Sequence, residues 1–306
     1  MRIVSLLPAA TEIAYALGLG DDLVGVTHEC DWPPPARTKP RVSRTLLPAD
    51  ASPAEVDALV AAAGAPGGIP TEVLEEGVLA RLDPDLILTQ DLCAVCALPA
   101  GDVEAALDAL GCAAEVVSLD PSSIDDVLDG ILRVGRATGR SDTAETVVGA
   151  LRARIEAVRG AVARLPRRRV FALEWSDPPF NGGHWLPEMI GIAGGEAVLA
   201  VPGGNSVRVT WAQIGAARPE VVVFTPCGYS LDEAAREGRA LLHRPELAGV
   251  EIWAVDADSL FVRPGPRLVD GVEALARLLH PDHLRDVRPK SARRLDRPTT
   301  RTASGR

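Results

Sequence analysis

The sequence lacks the features that would mark several common classes of protein. No apolar run approaches the ~20 residues that a membrane-spanning helix needs, so we predict no membrane insertion. The formal net charge of the 306 residues is −10, which argues against general binding to nucleic acid, because such binding needs a basic surface. Neither a Gly-x-Ser-x-Gly nor a Gly-x-x-x-x-Gly-Lys-Ser/Thr pattern occurs. The sequence therefore favours a protein that is not an enzyme, although it leaves enzymatic activity open.

A signal-peptide pattern is also missing from the start of the sequence. Met1 and Arg2 lead directly into the run from Ile3 to Leu7, which is too short for the apolar region of a secretory signal and is followed by Pro8. Cysteine is scarce and odd in number. Five cysteines fit thiols, metal ligands or redox groups of a reducing compartment better than a disulfide framework. We therefore predict a cytoplasmic protein.

Short apolar runs alternate with helical patterns through most of the chain. In the first part, the patterns predict strands at 2–7, 23–27, 86–88 and 114–119 and helices at 8–18, 72–82 and 102–110. In the second part, they predict strands at 170–174, 221–225 and 252–255 and helices at 211–217 and 266–279. Such alternation is typical of α/β units with mostly parallel sheets.

The segment between these two series is almost entirely helical in pattern, with one interruption near Gly139. After it, the apolar residues form one stripe, as in a long amphipathic helix. We predict two doubly wound α/β lobes joined by one long helix: an N-terminal lobe over 1–121, the helical connection over 122–165 and a C-terminal lobe over 166–285. Residues 286–306 are rich in arginine and poor in apolar residues, which predicts a disordered basic tail.

Sulfur and nitrogen donors follow four of the predicted strands, at the ends where open α/β sheets bind ligands. The candidate metal ligands are His28, Cys30, Cys93, Cys96 and Cys227. Zinc prefers four nitrogen or sulfur ligands and iron–sulfur clusters prefer four thiolates, so the four cysteines suit either centre. Scattered buried thiols and a redox pair formed by Cys93 and Cys96 are the alternatives.

The loop after the strand at 170–174 is rich in aromatic residues, although the sequence has only five tryptophans, two tyrosines and four phenylalanines. Flat apolar walls with a few polar groups suit a small organic or chelate ligand, but aromatic residues also anchor loops by packing alone. The candidate ligand-binding residues of this loop are Glu174, Trp175, Phe180, His184 and Trp185.

Two polar residues at other strand ends join the ligand-binding candidates. Gln90 follows the predicted strand at 86–88, in the same loop as Cys93 and Cys96. Arg263 follows the predicted strand at 252–255. Its guanidinium could pair with a carboxylate or amide of a ligand, and a surface salt bridge is the alternative.

Three stretches resemble a known family. Arg2 to Glu12, Leu82 to Leu88 and Arg218 to Val223 are similar to segments of the class III substrate-binding proteins of ABC importers, the vitamin B12 and ferric-siderophore type. The resemblance covers roughly residues 1–280. It implies two α/β lobes, a stiff hinge, a small-molecule ligand held between the lobes, and an ABC transporter or another protein as partner.

Because the sequence shows no export signal, it looks like a cytoplasmic, cobalamin-binding branch of that family. Typical vitamin B12 binders of that family grip the corrin with aromatic residues, and the resemblance implies Trp32, Trp175 and Trp185 as the matching candidates here. The resulting hypothesis is a cytoplasmic, non-enzymatic binding protein for a cobalamin-like corrinoid or other metal chelate. The alternative is a metalloprotein or metalloenzyme that holds zinc or an iron–sulfur cluster on the four cysteines named above.

Overall fold

A computed structural model describes residues 1–48, 50–63, 65, 69–90, 100–284 and 291–296. The chain divides into two compact units. Unit 1 comprises Met1–Gly160 and Arg263–Asp270, and unit 2 comprises Ala161–Val262 and Gly271–Arg306. The chain thus returns briefly to unit 1 near its end, which the sequence patterns did not predict.

Unit 1 is built on a four-stranded parallel sheet. The strands of this unit are β1 Ile3–Ser5, β2 Leu23–Val26, β3 Ser43–Thr45, β4 Glu72–Leu74, β5 Leu86–Thr89 and β6 Glu115–Ser118. Its helices are α1 Pro8–Ala16, α2 Pro53–Ala63, α3 Glu76–Leu82, α4 Ala100–Leu110, α5 Ile124–Ala137 and α6 Ser141–Val162, whose last two residues belong to unit 2, with a 3-10 helix at Pro34–Thr38. The sheet order is β2-β1-β5-β6, so the carboxyl ends of these strands share one edge.

The central strands of this sheet are buried on both faces. Strand β1 pairs with β5 in register from Ile3 with Leu86 to Ser5 with Leu88. The run Leu86, Ile87 and Leu88 is at most 1% exposed. This burial explains why the strand reads as a continuous apolar run and not as an alternating pattern.

The predicted helix over 72–82 begins later than its sequence pattern indicates. Glu72–Leu74 forms β4, which pairs antiparallel with β3, and α3 begins at Glu76. The prediction is therefore wrong for the first turn. The cause is a partner distant in sequence: pairing with β3 supplies backbone hydrogen bonds that the local pattern could not reveal.

The predicted connection over 122–165 consists of two helices. Ser123 caps α5 through a capping box with Asp126. The break between α5 and α6 includes Gly139, whose φ of +68° lies in the left-handed region that favours glycine. Helix α6 has 22 residues and buries a stripe that includes Val148 and Leu151. Among the described residues, no helix has the length and apolar character needed to cross a lipid bilayer.

Unit 2 is built on a six-stranded sheet. Its strands are β7 Arg168–Ser176, β8 Pro179–Asn181, β9 Gly195–Ala197, β10 Val221–Phe224, β11 Glu251–Val255 and β12 Ala292–Leu295. Its helices are α7 Leu186–Ile192, α8 Trp211–Ala217, α9 Leu231–Glu237, α10 Ala257–Leu260 and α11 Leu268–Leu279, whose first residues belong to unit 1, with 3-10 helices at Gly238–His243 and Pro245–Leu247. The order is β12-β11-β10-β7-β8, with β9 beside β7. Strands β7, β9, β10 and β11 are parallel, and β8 and β12 run antiparallel to them.

The segment predicted to be a disordered tail contains an ordered strand. Ala292–Leu295 forms β12, which pairs antiparallel with β11. Leu295 is 8% exposed and joins the apolar core of unit 2, while Arg293 pairs with Asp232 at 2.8 Å. An edge strand needs only a backbone ladder and an anchoring side chain, which overall composition does not reveal. The prediction is therefore wrong for β12, and residues 286–290 and 297–306 lie outside the described residues.

Candidate functional site

The loop that follows β2 carries an ion pair at the carboxyl-terminal edge of the unit 1 sheet. Arg263 Nη1 donates a hydrogen bond to Asp31 Oδ1 at 2.6 Å, and the arginine is 8% exposed. Burial acts to raise the pKa of Asp31, but the hydrogen bond and charge of Arg263 outweigh it and lower that pKa below its ordinary value. Arg263 thus forms the protein salt bridge that the sequence left open, and its contact with a ligand stays a prediction.

Trp32 follows Asp31 and lies against a second arginine of the returning segment. The Arg267 guanidinium carbon is 5.0 Å from the centre of the Trp32 ring, within cation–π range. Arg267 also donates two hydrogen bonds to Glu12, of 2.8 and 2.6 Å. Trp32 is 45% exposed, so much of its surface remains open to solvent. The family resemblance selected Trp32 and the position after a predicted strand selected Arg263, but neither gave a signal for Glu12 or Arg267.

Cys30 is a buried thiol and not an open metal ligand. Its side chain is fully buried, and its sulfur accepts a hydrogen bond from Thr11 Oγ1 at 3.0 Å and lies 3.6 Å from Thr27 Oγ1. Burial raises the pKa of Cys30 above its ordinary value, which favours the thiol over the thiolate that metals bind.

The zinc and iron–sulfur alternative finds no support in the described part of the chain. There, no three residues of the histidine, cysteine, aspartate and glutamate types are grouped so that they could hold a metal ion. Cys227 follows β10 in unit 2 and is partly buried. Cys93 and Cys96 lie outside the described residues, whereas Gln90 is described and is 5% exposed at the end of β5.

His28 pairs with a buried carboxylate. Its Nδ1 lies 3.2 Å from Ser43 Oγ and 3.4 Å from Glu72 Oε1. The adjacent Glu72 carboxylate raises the pKa of His28, against the opposing effect of burial, so the pair favours the imidazolium form. Because the imidazolium has no lone pair for a metal, this pairing disfavours His28 as a ligand. Ser43 and Glu72 both approach Nδ1 of His28. A Ser-His-Glu triad needs them on different ring nitrogens, so this cluster is not a proton relay of that kind.

Unit 2 places two aromatic side chains together at the carboxyl-terminal edge of its parallel strands. Trp175 is the second-last residue of β7, and Tyr229 lies in the loop that follows β10. Their ring centres are 5.9 Å apart at an interplanar angle of 74°, an edge-to-face contact. Sequence analysis selected Trp175 but missed Tyr229, whose signal was its position a few residues beyond a predicted strand.

Glu174 is held by a loop that returns to the end of β7. Ser206 Oγ donates a short hydrogen bond to the Glu174 carboxylate and accepts one from the backbone N–H of Gly183 at 3.1 Å. Burial raises the pKa of Glu174 above its ordinary value, although the hydrogen bonds from Ser206 and Gly183 act in the opposite direction. The site therefore presents a desolvated carboxyl group fixed by a serine.

The loop that carries Ser206 is clamped by Asn181. The buried Asn181 side chain donates to Leu199 O at 2.5 Å and accepts from Val207 N at 2.7 Å. The loop exposes two apolar side chains: Val201 is 71% exposed and Val207 is 51% exposed. Sequence analysis did not select Asn181, because the hydrogen bonds that give it this role join distant parts of the sequence.

The remaining predicted aromatic residues of the loop differ in their exposure. Trp185 is 5% exposed and donates its indole N–H to Phe261 O at 2.7 Å, so it anchors the loop and offers little surface to a ligand. Phe180 is partly exposed, with the Arg208 guanidinium carbon 5.6 Å from its ring centre. Of Trp185 and Phe180, only Phe180 offers a partly exposed ring face.

His184 adopts an unusual backbone conformation beside Trp185. Its φ is +53°, in the left-handed region, and its backbone N–H donates to Gly204 O at 2.6 Å. Burial lowers the pKa of His184, so its imidazole is neutral near pH 7. Its Nδ1 is buried without a hydrogen-bond partner.

The carboxyl group of Glu174 provides a test of the electrostatics of this site. A carboxyl group whose pKa is raised by folding contributes its full stabilisation below the unfolded pKa, and that contribution is lost as the pH rises through the folded pKa. We therefore expect Glu174→Gln to raise the melting temperature at pH 7 and to have little effect below about pH 4. Thermal unfolding across this pH range measures the difference.

Glu196 provides the matched control in the same unit, because its carboxylate pairs with Arg169 at the surface, where 55% of the Glu196 side chain is exposed. Glu196→Gln should change the melting temperature little at either pH. A loss of stability for Glu174→Gln at pH 7 would contradict the prediction.

Comparison with known proteins identifies the family of this chain. Residues 3–257 match the family described as periplasmic binding protein. A vitamin B12-binding protein of Vibrio cholerae is 28% identical over 287 residues, which cover 91% of this chain and 88% of that protein. A vitamin B12-binding protein of Vibrio vulnificus is 27% identical over 276 residues, which cover 89% of this chain and 87% of that protein.

Solved structures give the same result for the fold. The periplasmic vitamin B12-binding protein BtuF of Vibrio cholerae is 26% identical, with a TM-score of 0.66 over 91% of this chain and 96% of that one. The haem-binding protein HutB of the same organism has a TM-score of 0.69 at 19% identity, over 92% of this chain and 99% of that one, a likeness in fold alone. The predicted class III fold with two α/β lobes is confirmed. The prediction of a cytoplasmic protein is wrong, because the matched family and these relatives are periplasmic binding proteins. This chain belongs to the periplasmic binding protein family.

Proposed function

We propose that this chain is a substrate-binding protein for a corrinoid of the vitamin B12 class. The observation that carries the proposal is the edge-to-face pair of Trp175 and Tyr229 at the carboxyl-terminal edge of the unit 2 sheet. A corrin ring is broad and largely apolar on its faces, and aromatic side chains give such a surface a large contact area at little cost in conformational entropy. Relatives that cover about nine-tenths of the chain bind vitamin B12, as their names state.

The polar groups of the site suit the amide side chains that surround a corrin ring. In unit 2, Glu174, which directly precedes Trp175 in β7, and its partner Ser206 can accept or donate hydrogen bonds. In unit 1, Gln90, Arg263 and the exposed ring of Trp32 stay predicted ligand contacts. Sites for small molecules commonly combine apolar walls with a few such polar groups.

The proposal gives the chain no catalytic role. Periplasmic binding proteins of this type deliver a ligand to a transporter, so an ABC importer is the proposed partner. Within the described residues, the Ser43, His28 and Glu72 cluster lacks the geometry of a proton relay. Binding and release are therefore the activities to measure.

Titration of the purified chain with cyanocobalamin and, separately, with hemin tests the proposal. We expect cyanocobalamin to bind with about micromolar affinity or tighter, measured by isothermal titration calorimetry, and hemin to bind more weakly. Iron(III) chloride serves as the control for binding of a bare metal ion. Saturable binding of hemin with no heat from cyanocobalamin would contradict the proposal and assign the site to haem.

A further inference from the structure

The exposed ring of Trp32 is held by a cation. Arg267 places its guanidinium carbon 5.0 Å from the ring centre, while the tryptophan remains 45% exposed. A guanidinium over an indole covers part of one ring face and is attracted by the electron density of that face. The remaining surface of Trp32 is accessible, so the residue has one supported side and one open side.

Arg267 is itself held in place by a buried carboxylate. Its Nε donates to Glu12 Oε2 at 2.8 Å and its Nη2 donates to Glu12 Oε1 at 2.6 Å. The Glu12 side chain is 3% exposed and belongs to α1, whose residues pack in the interior of unit 1. Two parallel hydrogen bonds to a planar guanidinium define both its position and its plane. The guanidinium therefore links the ring of Trp32 to α1.

The neighbouring arginine holds the backbone beside Trp32. Arg263 Nη1 bonds to Asp31 at 2.6 Å and lies 3.8 Å from the same Glu12 carboxylate. The two arginines are separated by Pro264-Gly265-Pro266, a segment in which each proline restricts the backbone. Both contacts lie within unit 1 and tie its returning segment to the loop that presents Trp32.

We propose that Arg267 is a positioning residue for ligand binding: it covers one side of the Trp32 ring and fixes the plane in which the other side receives the flat face of the ligand. This inference rests on the proposed function, because it assumes that Trp32 contacts the corrinoid. It assigns a role to the second arginine of the Arg263-Pro264-Gly265-Pro266-Arg267 motif, which the sequence left unexplained.

The test compares Arg267→Met with a matched cation–π pair elsewhere in the chain. The Arg244 guanidinium carbon lies 4.3 Å from the centre of the Trp211 ring in unit 2, so Arg244→Met removes a similar contact that does not involve Trp32. We expect Arg267→Met to weaken cyanocobalamin binding about fivefold, in the range of a partly buried cation–π contact, and Arg244→Met to leave binding unchanged. Arg267→Lys keeps a cation near the ring and should recover part of the affinity.

Two further measurements separate positioning from general damage. The double variant Glu12→Gln with Arg267→Met removes both charges, so no buried carboxylate is left unpaired if Arg267→Met alone folds poorly. Fluorine NMR of protein labelled with 5-fluorotryptophan reports the ring directly, and Trp32→Phe assigns its resonance. We expect Arg267→Met to shift or broaden the Trp32 resonance and Arg244→Met to alter only that of Trp211.

The outcomes distinguish the two levels of the proposal. If the parent chain does not bind cyanocobalamin, the proposed function fails and the positioning role fails with it. If the parent binds and Trp32→Phe weakens binding while the folded Arg267 variants bind as the parent does, the proposed function stands and the positioning role is overturned. A weaker affinity together with a changed Trp32 resonance supports both.

Discussion

Replacing Gly183 with alanine should lower the free energy of unfolding by about 3 kcal/mol, because the added methyl group has no space. A Cβ at this position would lie 2.3 Å from the backbone nitrogen of Ser206, 2.5 Å from the carbonyl carbon of Asn205 and 2.7 Å from Gly204 O. All three are backbone atoms, so no side chain can rotate away. Displacing this loop also moves Ser206 away from Glu174. Urea unfolding of the variant and the parent gives the difference.

Gly149 supplies the control for this substitution. It is an exposed residue of α6, and a Cβ there meets no atom within 4 Å. Gly149→Ala should therefore stabilise the chain, by up to about 1 kcal/mol, through the higher helix propensity of alanine. If Gly183→Ala unfolded at the same urea concentration as the parent, that result would contradict the close approach of Gly183 to the backbone of residues 204–206.

Removal of either member of the unit 2 aromatic pair should weaken corrinoid binding about tenfold, which corresponds to about 1.4 kcal/mol. Trp175→Ala removes a large flat surface from the end of β7, and Tyr229→Ala removes the ring that supports it at 5.9 Å. Because the two rings contact each other, the double variant should lose less affinity than the sum of the single variants. Isothermal titration calorimetry with cyanocobalamin measures all three.

Trp253 provides the control for the aromatic pair. It lies within β11, and its indole N–H donates to Glu251 at 2.7 Å. Trp253→Phe keeps an aromatic ring in the strand and should leave the dissociation constant unchanged. Unchanged binding in Trp175→Ala, with fold and melting temperature retained, would exclude the unit 2 pair as a ligand contact.

Local sequence patterns predicted the elements of this chain where neighbouring residues decide the structure. The apolar run Leu86 to Leu88 is a buried strand, as its pattern predicted, and the side chains of Ser52 and Glu55, three residues apart, form a capping box at the start of α2. Their physical causes act over a few residues: burial of a continuous apolar segment, and a side chain that satisfies backbone N–H groups at a helix start. The aromatic residues near Trp175 were identified for the same reason, since their density is visible in the sequence itself.

Contacts between distant segments account for what local patterns did not predict. Ser206 meets Glu174 across 32 residues, and Arg267 meets Glu12 across 255 residues. The same cause explains the errors over residues 72–74 and 292–295, where a strand forms because a distant partner strand supplies its hydrogen bonds.

The sequence by itself determined the alternation of strands and helices, the two α/β lobes and the strand ends where candidate residues cluster, and its resemblance to a known family indicated the class III fold. Only the tertiary structure decided which of those residues contact one another. The fold buries Cys30 between Thr11 and Thr27, where the thiol form is favoured. It also brings Tyr229 into contact with Trp175, and Arg267 into contact with Trp32. The physical reason is that hydrophobic periodicity reports local burial, whereas a site depends on strand register and on chain segments that meet only after folding.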